Sequence, residues 1–352
     1  MSMLRLLRIL VVCLLCVTGA MFLRLSEVVL ASSPSEEAST SSQSNVWQVA
    51  VDGSGQFTLI QEAIDQASSG DTILIKAGTY AEDVTIHSKE NLSIIGEGRD
   101  RVFITGEKRV GSLHIGKWPY GATNVLIQGL TVTQHGGLGV GIFNGSSIHL
   151  KQIHVKGMVF SQQVQDVFLE DCIIEGSETT GVAFANSTGT LVGNTIRHND
   201  HGIAIGGNSE VTLRHNVISH SLFEAVLITG HSKATLVQNT LVRNGGGIAF
   251  HDTTEATVRG NIIGHSTVGL LFSPQSHITL AFNGLYNNEA DYLLQGTPPT
   301  PIPQRAGKTD VALAPGFVNF QEDDFRLRQN SLLLHIGDFP YLGALPPLSL
   351  PN

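Results

Sequence analysis

From about residue 140 onward, apolar residues fall in short alternating pieces such as Ile203-Ala204-Ile205 and Val211-Thr212-Leu213, separated by Gly, Asn, His and Ser. Strict alternation over a few residues is the mark of a half-buried strand, and the separators are turn formers. The pieces recur in register. LVGNTI, LRHNVI, LVQNTL, VRGNII and LAFNGL carry Asn194, Asn216, Asn239, Asn261 and Asn283, at spacings of 22, 23, 22 and 22 residues. LEDCII places Cys172 at the same point, 22 residues before Asn194. Pieces this short cannot form an independent sheet, but stacked coils bury them, pairing strands of successive turns in parallel about 4.8 Å apart. The fold class predicted is all-β, a single-stranded right-handed parallel β-helix of about 22-residue coils. Each repeated Asn is expected to take the left-handed backbone conformation and to hydrogen-bond its neighbours above and below, with Cys172 filling an inward slot as an inert thiol.

The pattern also marks the two ends. Thr58-Leu59-Ile60-Gln61 reads as a capping box opening a helix to about Ala67, whose Ile60, Ala63, Ile64 and Ala67 form one apolar face. A helix there would cover the open core, before a strand at Thr72-Ile73-Leu74-Ile75. At the other end Thr297-Pro298-Pro299-Thr300-Pro301 breaks the pattern. The expected organisation is an export signal or anchor over residues 1–31, a Ser-rich linker over 32–46 and the β-helix over 47–295. A Pro-rich linker over 296–309 and a tail over 310–352, folded back on the last coils, complete it.

Composition fits many tight turns: of 352 residues 38 are Gly, 14% are charged and 6% aromatic. A net charge of −9 gives no bulk attraction to nucleic acid or anionic lipid. Arg5 and Arg8 precede an apolar run over residues 9–23, and Val29-Leu30-Ala31 offers a cleavage site, so the protein is expected to be extracytoplasmic, secreted or periplasmic. The alternative is an uncleaved segment, which would be its one membrane attachment. Beyond residue 31 Cys172 is the single cysteine, so packing alone must hold the coils.

VAVDGSGQFTLIQEAIDQASSGDTILIKAGTYAEDVTI resembles the opening of pectinesterases and related proteins of the pectin-lyase-like superfamily. The later coils resemble the NosD-like carbohydrate-binding and sugar-hydrolase repeat, and APGFVNFQEDDFRLRQNSLLLHIG resembles the C-terminal stretch of bacterial β-helix proteins. The resemblance implies a polysaccharide or cell-surface glycan as partner, bound or processed. An activity, if present, would be that of a polysaccharide lyase or glycoside hydrolase. Pectinesterase chemistry is disfavoured, because alignment of VAFANS with the family's Phe-Ile-Phe-Gly run puts Gly181 at the nucleophilic Asp, and counting back from Asp171 puts the acid/base Asp near Met158. Neither can attack an ester or move a proton. The alternative reading is a non-catalytic NosD-like periplasmic accessory protein or surface scaffold.

Candidate chemistry is sparse. Asp166, Glu170, Asp171, Glu175 and Glu178 crowd one coil, either as a Ca²⁺-type cluster or as a solvated turn face. The outward row Ala183, Ala204, Leu227, Ala249 and Leu271 offers no carboxylate pair. His198, His220 and His265 share a turn row, and His198 with His220 could approach as metal ligands; the NosD-like resemblance, associated with copper-site maturation, suggests Cu. No cofactor is otherwise evident. His251 as base with Asp252 orienting it, and His231 one coil before, form a candidate catalytic set that lacks a visible nucleophile. Trp118 and Tyr120, in a Gly- and Pro-bounded loop, either stack on sugar rings or cover the side of the early coils.

Overall fold

The structure, a computed structural model, describes residues 44–106, 111–302 and 308–348. The signal or anchor expected over residues 1–31 lies outside them. Three parallel faces run along a β-solenoid. Face A is an eleven-stranded sheet from Val46–Val49 to His277–Ala281. Face B begins at Val84–Ile86 and Leu113–Ile115 and ends at Ala290–Leu294. Face C holds the short strands after each repeated Asn, among them Thr195–Arg197, Val217–Ser219, Thr240–Val242 and Ile262–Gly264.

Register follows the sequence period. Val182, Ile203, Val226, Ile248 and Leu270 align in one inward row, and Phe184, Ile205, Ile228, Phe250 and Phe272 in another. Aromatic rings stack along the second row, Phe250 on Phe272 with centroids 5.6 Å apart. All ten side chains are buried, so one apolar column runs through these coils.

The repeated asparagines build a buried hydrogen-bond ladder. The Nδ2 of Asn194, Asn216 and Asn239 donates at 2.9 Å to the Oδ1 of the next Asn, and that of Asn261 donates at 3.0 Å to Asn283. Each also donates to a backbone carbonyl of the preceding coil, as Asn239 does to Leu213 at 2.9 Å. Asp310 ends the ladder, accepting from Asn283 Nδ2 at 3.0 Å and from the Tyr292 hydroxyl at 2.9 Å. The left-handed conformation falls one residue before the expected place, on Asp171, Gly193, His215, Gln238, Gly260 and Phe282. That residue turns the chain so that the Asn itself points inward. Cys172 occupies the first slot, and burial raises its thiol pKa to about 12, which keeps it protonated.

The helix Ile60–Gln66 lies over the first coil with Ile60, Ala63 and Ile64 buried. Its N-terminus is not held by Thr58: Leu59 is the N-cap, with no side-chain bond. The Glu82 carboxylate accepts instead from the amides of Ile60 at 2.7 Å and Gln61 at 2.9 Å, satisfying orphan donors from the next coil. Gln61 in turn bonds Thr85, accepting from its amide at 2.8 Å and donating to its carbonyl at 3.1 Å.

At the other end Thr300–Pro301 pairs antiparallel with Ala290–Leu294, and Val311 bridges to Gly284. Beyond it the chain crosses face C. Phe317, Phe325, Leu327, Leu333 and Leu342 bury against Val217, Val242 and Ile262. Arg243 anchors this strap through a 2.9 Å ion pair with Asp323 and by lying 4.1 Å over the Phe320 ring.

Candidate functional site

The outward side of face B carries one row through successive coils: Thr85, His114, Gly141, Phe160, Ala183, Ala204, Leu227, Ala249 and Leu271. Its chemistry changes midway. The early coils carry polar and aromatic groups, and the later ones methyl and isobutyl groups.

The early half forms a cleft of about 690 Å³. Asp83, Thr85 and His87 line one end, Gln162 and Gln163 the other, and His114, Phe143 and Asn144 lie between. His114 and Phe143 stack with centroids 6.1 Å apart, and Phe160 meets Phe143 edge-on at 6.0 Å. Lys117 and Trp118 form the rim. Trp118 and Tyr120 are 72% and 61% exposed, so they do not cover the early coils.

Their loop is held tightly. Lys117 N donates to the Tyr120 carbonyl at 2.6 Å, closing an antiparallel bridge across Trp118 and Pro119. The roots press on the next coil: a Cβ on Gly116 would stand 1.9 Å from the Phe143 carbonyl oxygen, and one on Gly121 1.6 Å from that of Asn144. Only glycine fits at such an approach. Two aromatic faces are therefore held out toward solvent on a braced loop, an arrangement suited to stacking on flat apolar rings, with amides behind it.

The later half differs. Ala204, Leu227 and Ala249 are 4%, 6% and 1% exposed. Asp252 does not orient His251; its carboxylate accepts from the Gly230 amide at 2.9 Å, a coil-to-coil tie. His251 Nδ1 lies 3.2 Å from Gln295 Nε2, and burial pushes its pKa below the ordinary value against the pull of Glu224 and Asp252. His231 is exposed and paired with the Thr253 hydroxyl at 2.5 Å. The three residues are thus near neighbours with separate partners. One group escaped the sequence reading: His201 Nδ1 stands 3.1 Å from Glu224 Oε2. Burial would raise the Glu224 pKa, but the imidazole more than offsets this and holds it below the ordinary range. The signal was the single 23-residue spacing, between Asn216 and Asn239.

On face C, His198 and His220 do come together, their rings stacked 4.7 Å apart. The strap occupies that surface: Asp323 Oδ1 lies 3.6 Å from His220 Nε2 and takes the Arg243 ion pair. Burial lowers the His220 pKa, with Asp323 opposing and His198 and Arg243 adding to the effect. Among the described residues no group of three or more His, Cys, Asp or Glu is arranged to hold a metal. The crowded carboxylates separate onto different faces. Glu170 pairs with His149 at 3.0 Å and Lys151 at 3.1 Å, while Glu175 pairs with His154 and Arg197, both at 2.8 Å.

Position 181 points inward. A Cβ on Gly181 would meet Asn199 Nδ2 at 2.7 Å and Ile196 Cγ2 at 3.0 Å, so no outward carboxylate could be carried there. Met158 sits beside Thr179, its sulfur 3.8 Å from the hydroxyl.

The probable pectinesterase/pectinesterase inhibitor 17 of Arabidopsis thaliana is 46% identical over 65 residues, 18% of this chain and 12% of that protein. The pectinesterase of Petunia integrifolia is 46% identical over 67 residues, 18% of each chain. These matches therefore span under a fifth of either relative. Two solved structures share the fold at low identity. The A-module of the Azotobacter vinelandii mannuronan C-5 epimerase AlgE6 superposes with a TM-score of 0.56 at 18% identity, covering 67% of this chain and 74% of that one. Pectate lyase Pel9A superposes with a TM-score of 0.52 at 14% identity, covering 87% and 97%. The family model for the right-handed β-helix region matches residues 48–283, and the chain belongs to that family.

Proposed function

We propose that this is an extracytoplasmic carbohydrate-binding β-helix protein that holds a polysaccharide or cell-surface glycan in the face-B cleft beneath Trp118. One observation carries the reading: a 72% exposed Trp118 on a loop braced by Gly116 and Gly121, at the rim of a cleft lined by amides and histidines. An exposed indole on a rigid loop supplies stacking area at little ordering cost, and Asn144, Gln162 and Gln163 offer paired donors and acceptors to sugar hydroxyls. The matches to pectinesterases and the fold shared with a pectate lyase support the ligand class. The groups at positions 158 and 181 support binding without pectinesterase turnover.

The test is a glycan array probed with the purified protein, followed by calorimetry on the hits. Trp118→Ala is expected to weaken binding at least about tenfold, close to 1.4 kcal/mol, with unchanged thermal unfolding because the side chain is exposed. Binding that is indifferent to Trp118 would remove the cleft from the account.

A further inference from the structure

We propose that the cleft is a short, closed-ended site that takes a glycan chain end or an oligosaccharide of three or four sugars, and not the interior of a long polymer. The inference rests on the carbohydrate reading above and adds a length limit to it. The cleft is built on four consecutive strands of face B, contributing Thr85, His114, Phe143 and Gln162 in turn. Four strands make three spacings of about 4.8 Å, so the lined length is on the order of 14 Å, that of a short oligosaccharide.

Both ends stop for identifiable reasons. Among the described residues Val84–Ile86 pairs only with Leu113–Ile115, which makes it the first strand of the face. Its other edge is taken by the capping helix, with Gln61 bonded to both the amide and the carbonyl of Thr85. Among the described residues no further coil extends the floor there. Toward the other end, Gln162 is in register with Ala185, and Phe160 with Ala183. From that coil onward both rows lose their stacking and hydrogen-bonding groups: Ala204 and Leu227 follow Ala183, and Gly206 follows Ala185. Ala185, Ala204 and Leu227 are also buried, at 1%, 4% and 6% exposure, so no open groove continues along the axis. A sugar placed past Gln162 would lose both of those rows and keep only the turn amide of Asn186, whose Oδ1 already accepts from the Asn208 amide, so most of its hydroxyls would be desolvated there without a partner.

Calorimetry with cello-, manno-, chito- and galacturono-oligosaccharide ladders of two to seven units tests the limit. For whichever ladder binds, affinity should rise at least tenfold from the disaccharide to the tetrasaccharide and then change less than twofold up to the heptasaccharide. The parent polymer, cut to half its mean length, should bind twice as much protein per gram, because the sites counted are chain ends. A steady rise through seven units, or binding that ignores chain-end number, would overturn the closed-ended site and leave the carbohydrate reading intact. Silence from every ladder and polymer would overturn both.

Discussion

The two halves of face B belong to one parallel ladder, yet they present opposite surfaces, and only the later half keeps the even period: Thr85, His114, Gly141 and Phe160 follow one another at 29, 27 and 19 residues, whereas the coils from Phe160 to Leu271 run at 21–23. Around His114, Phe143 and Gln162 the outward side is open, polar and aromatic; around Ala204, Leu227 and Ala249 it is apolar and buried. The first inward row does not record the difference, since the column from Val84 through Leu113, Val140 and Val159 to Leu270 is apolar throughout. In a solenoid the inward positions specify stability and the outward ones are free to vary coil by coil, so function must be read from outward residues alone.

The comparison can be broken most severely in the later half. Asn239→Ala removes a buried side chain that receives the Asn216 amide and Nδ2 and donates to Leu213 and Asn261. With several buried partners left unpaired, unfolding free energy should fall by about 2–4 kcal/mol in denaturant titrations, while glycan affinity stays within twofold below the transition. Next in size, Gly121→Ala should weaken glycan binding about as strongly as Trp118→Ala, by displacing the loop, since its Cβ would stand 1.6 Å from the Asn144 oxygen. Stability would change less than for the ladder variant, and an Ala variant that binds normally would show that the loop need not be rigid.

Acidification should give a smaller effect on stability. His220, His251 and His265 are all held below the ordinary imidazole pKa, burial being the leading cause in each. A lowered folded pKa means that the unfolded chain takes up protons first, so stability is full above about pH 6.5 and declines as pH falls below it. Melting temperatures between pH 8 and pH 5 check this, and a rise on acidification would contradict the assignment. Smallest of all, Asp323→Asn loses a half-exposed ion pair to Arg243 and should cost under about 1 kcal/mol.

Much of the architecture was legible because Asn194 through Asn283 repeat in register and their side chains have one job, bonding along the axis. The turn geometry was less so. The left-handed residue before each Asn is variously Asp, Gly, His, Gln or Phe, so composition gives no consistent signal there. Asp310 was not legible as the ladder's end, since it lies 27 residues beyond Asn283 and outside the period. Likewise the strap over His220 and Arg243 depends on contacts to Asp323 and Phe320 across some 80 residues, which no local pattern encodes. Trp118 and Tyr120 stood out by their scarcity, but whether they face solvent depended on how Gly116 and Gly121 seat the loop. The acidic crowd from Asp166 to Glu178 left a cation cluster and a solvated turn face both open in sequence, because neighbours in one coil point to different faces once the coil closes.

The central claim is that ligand chemistry is confined to the early half of face B. Amide hydrogen exchange with and without a bound oligosaccharide tests it most directly. Added protection should concentrate at residues 111–121 and 141–163, with no change at residues 224–251. Protection centred on the later coils, around Glu224 and His251, would contradict it.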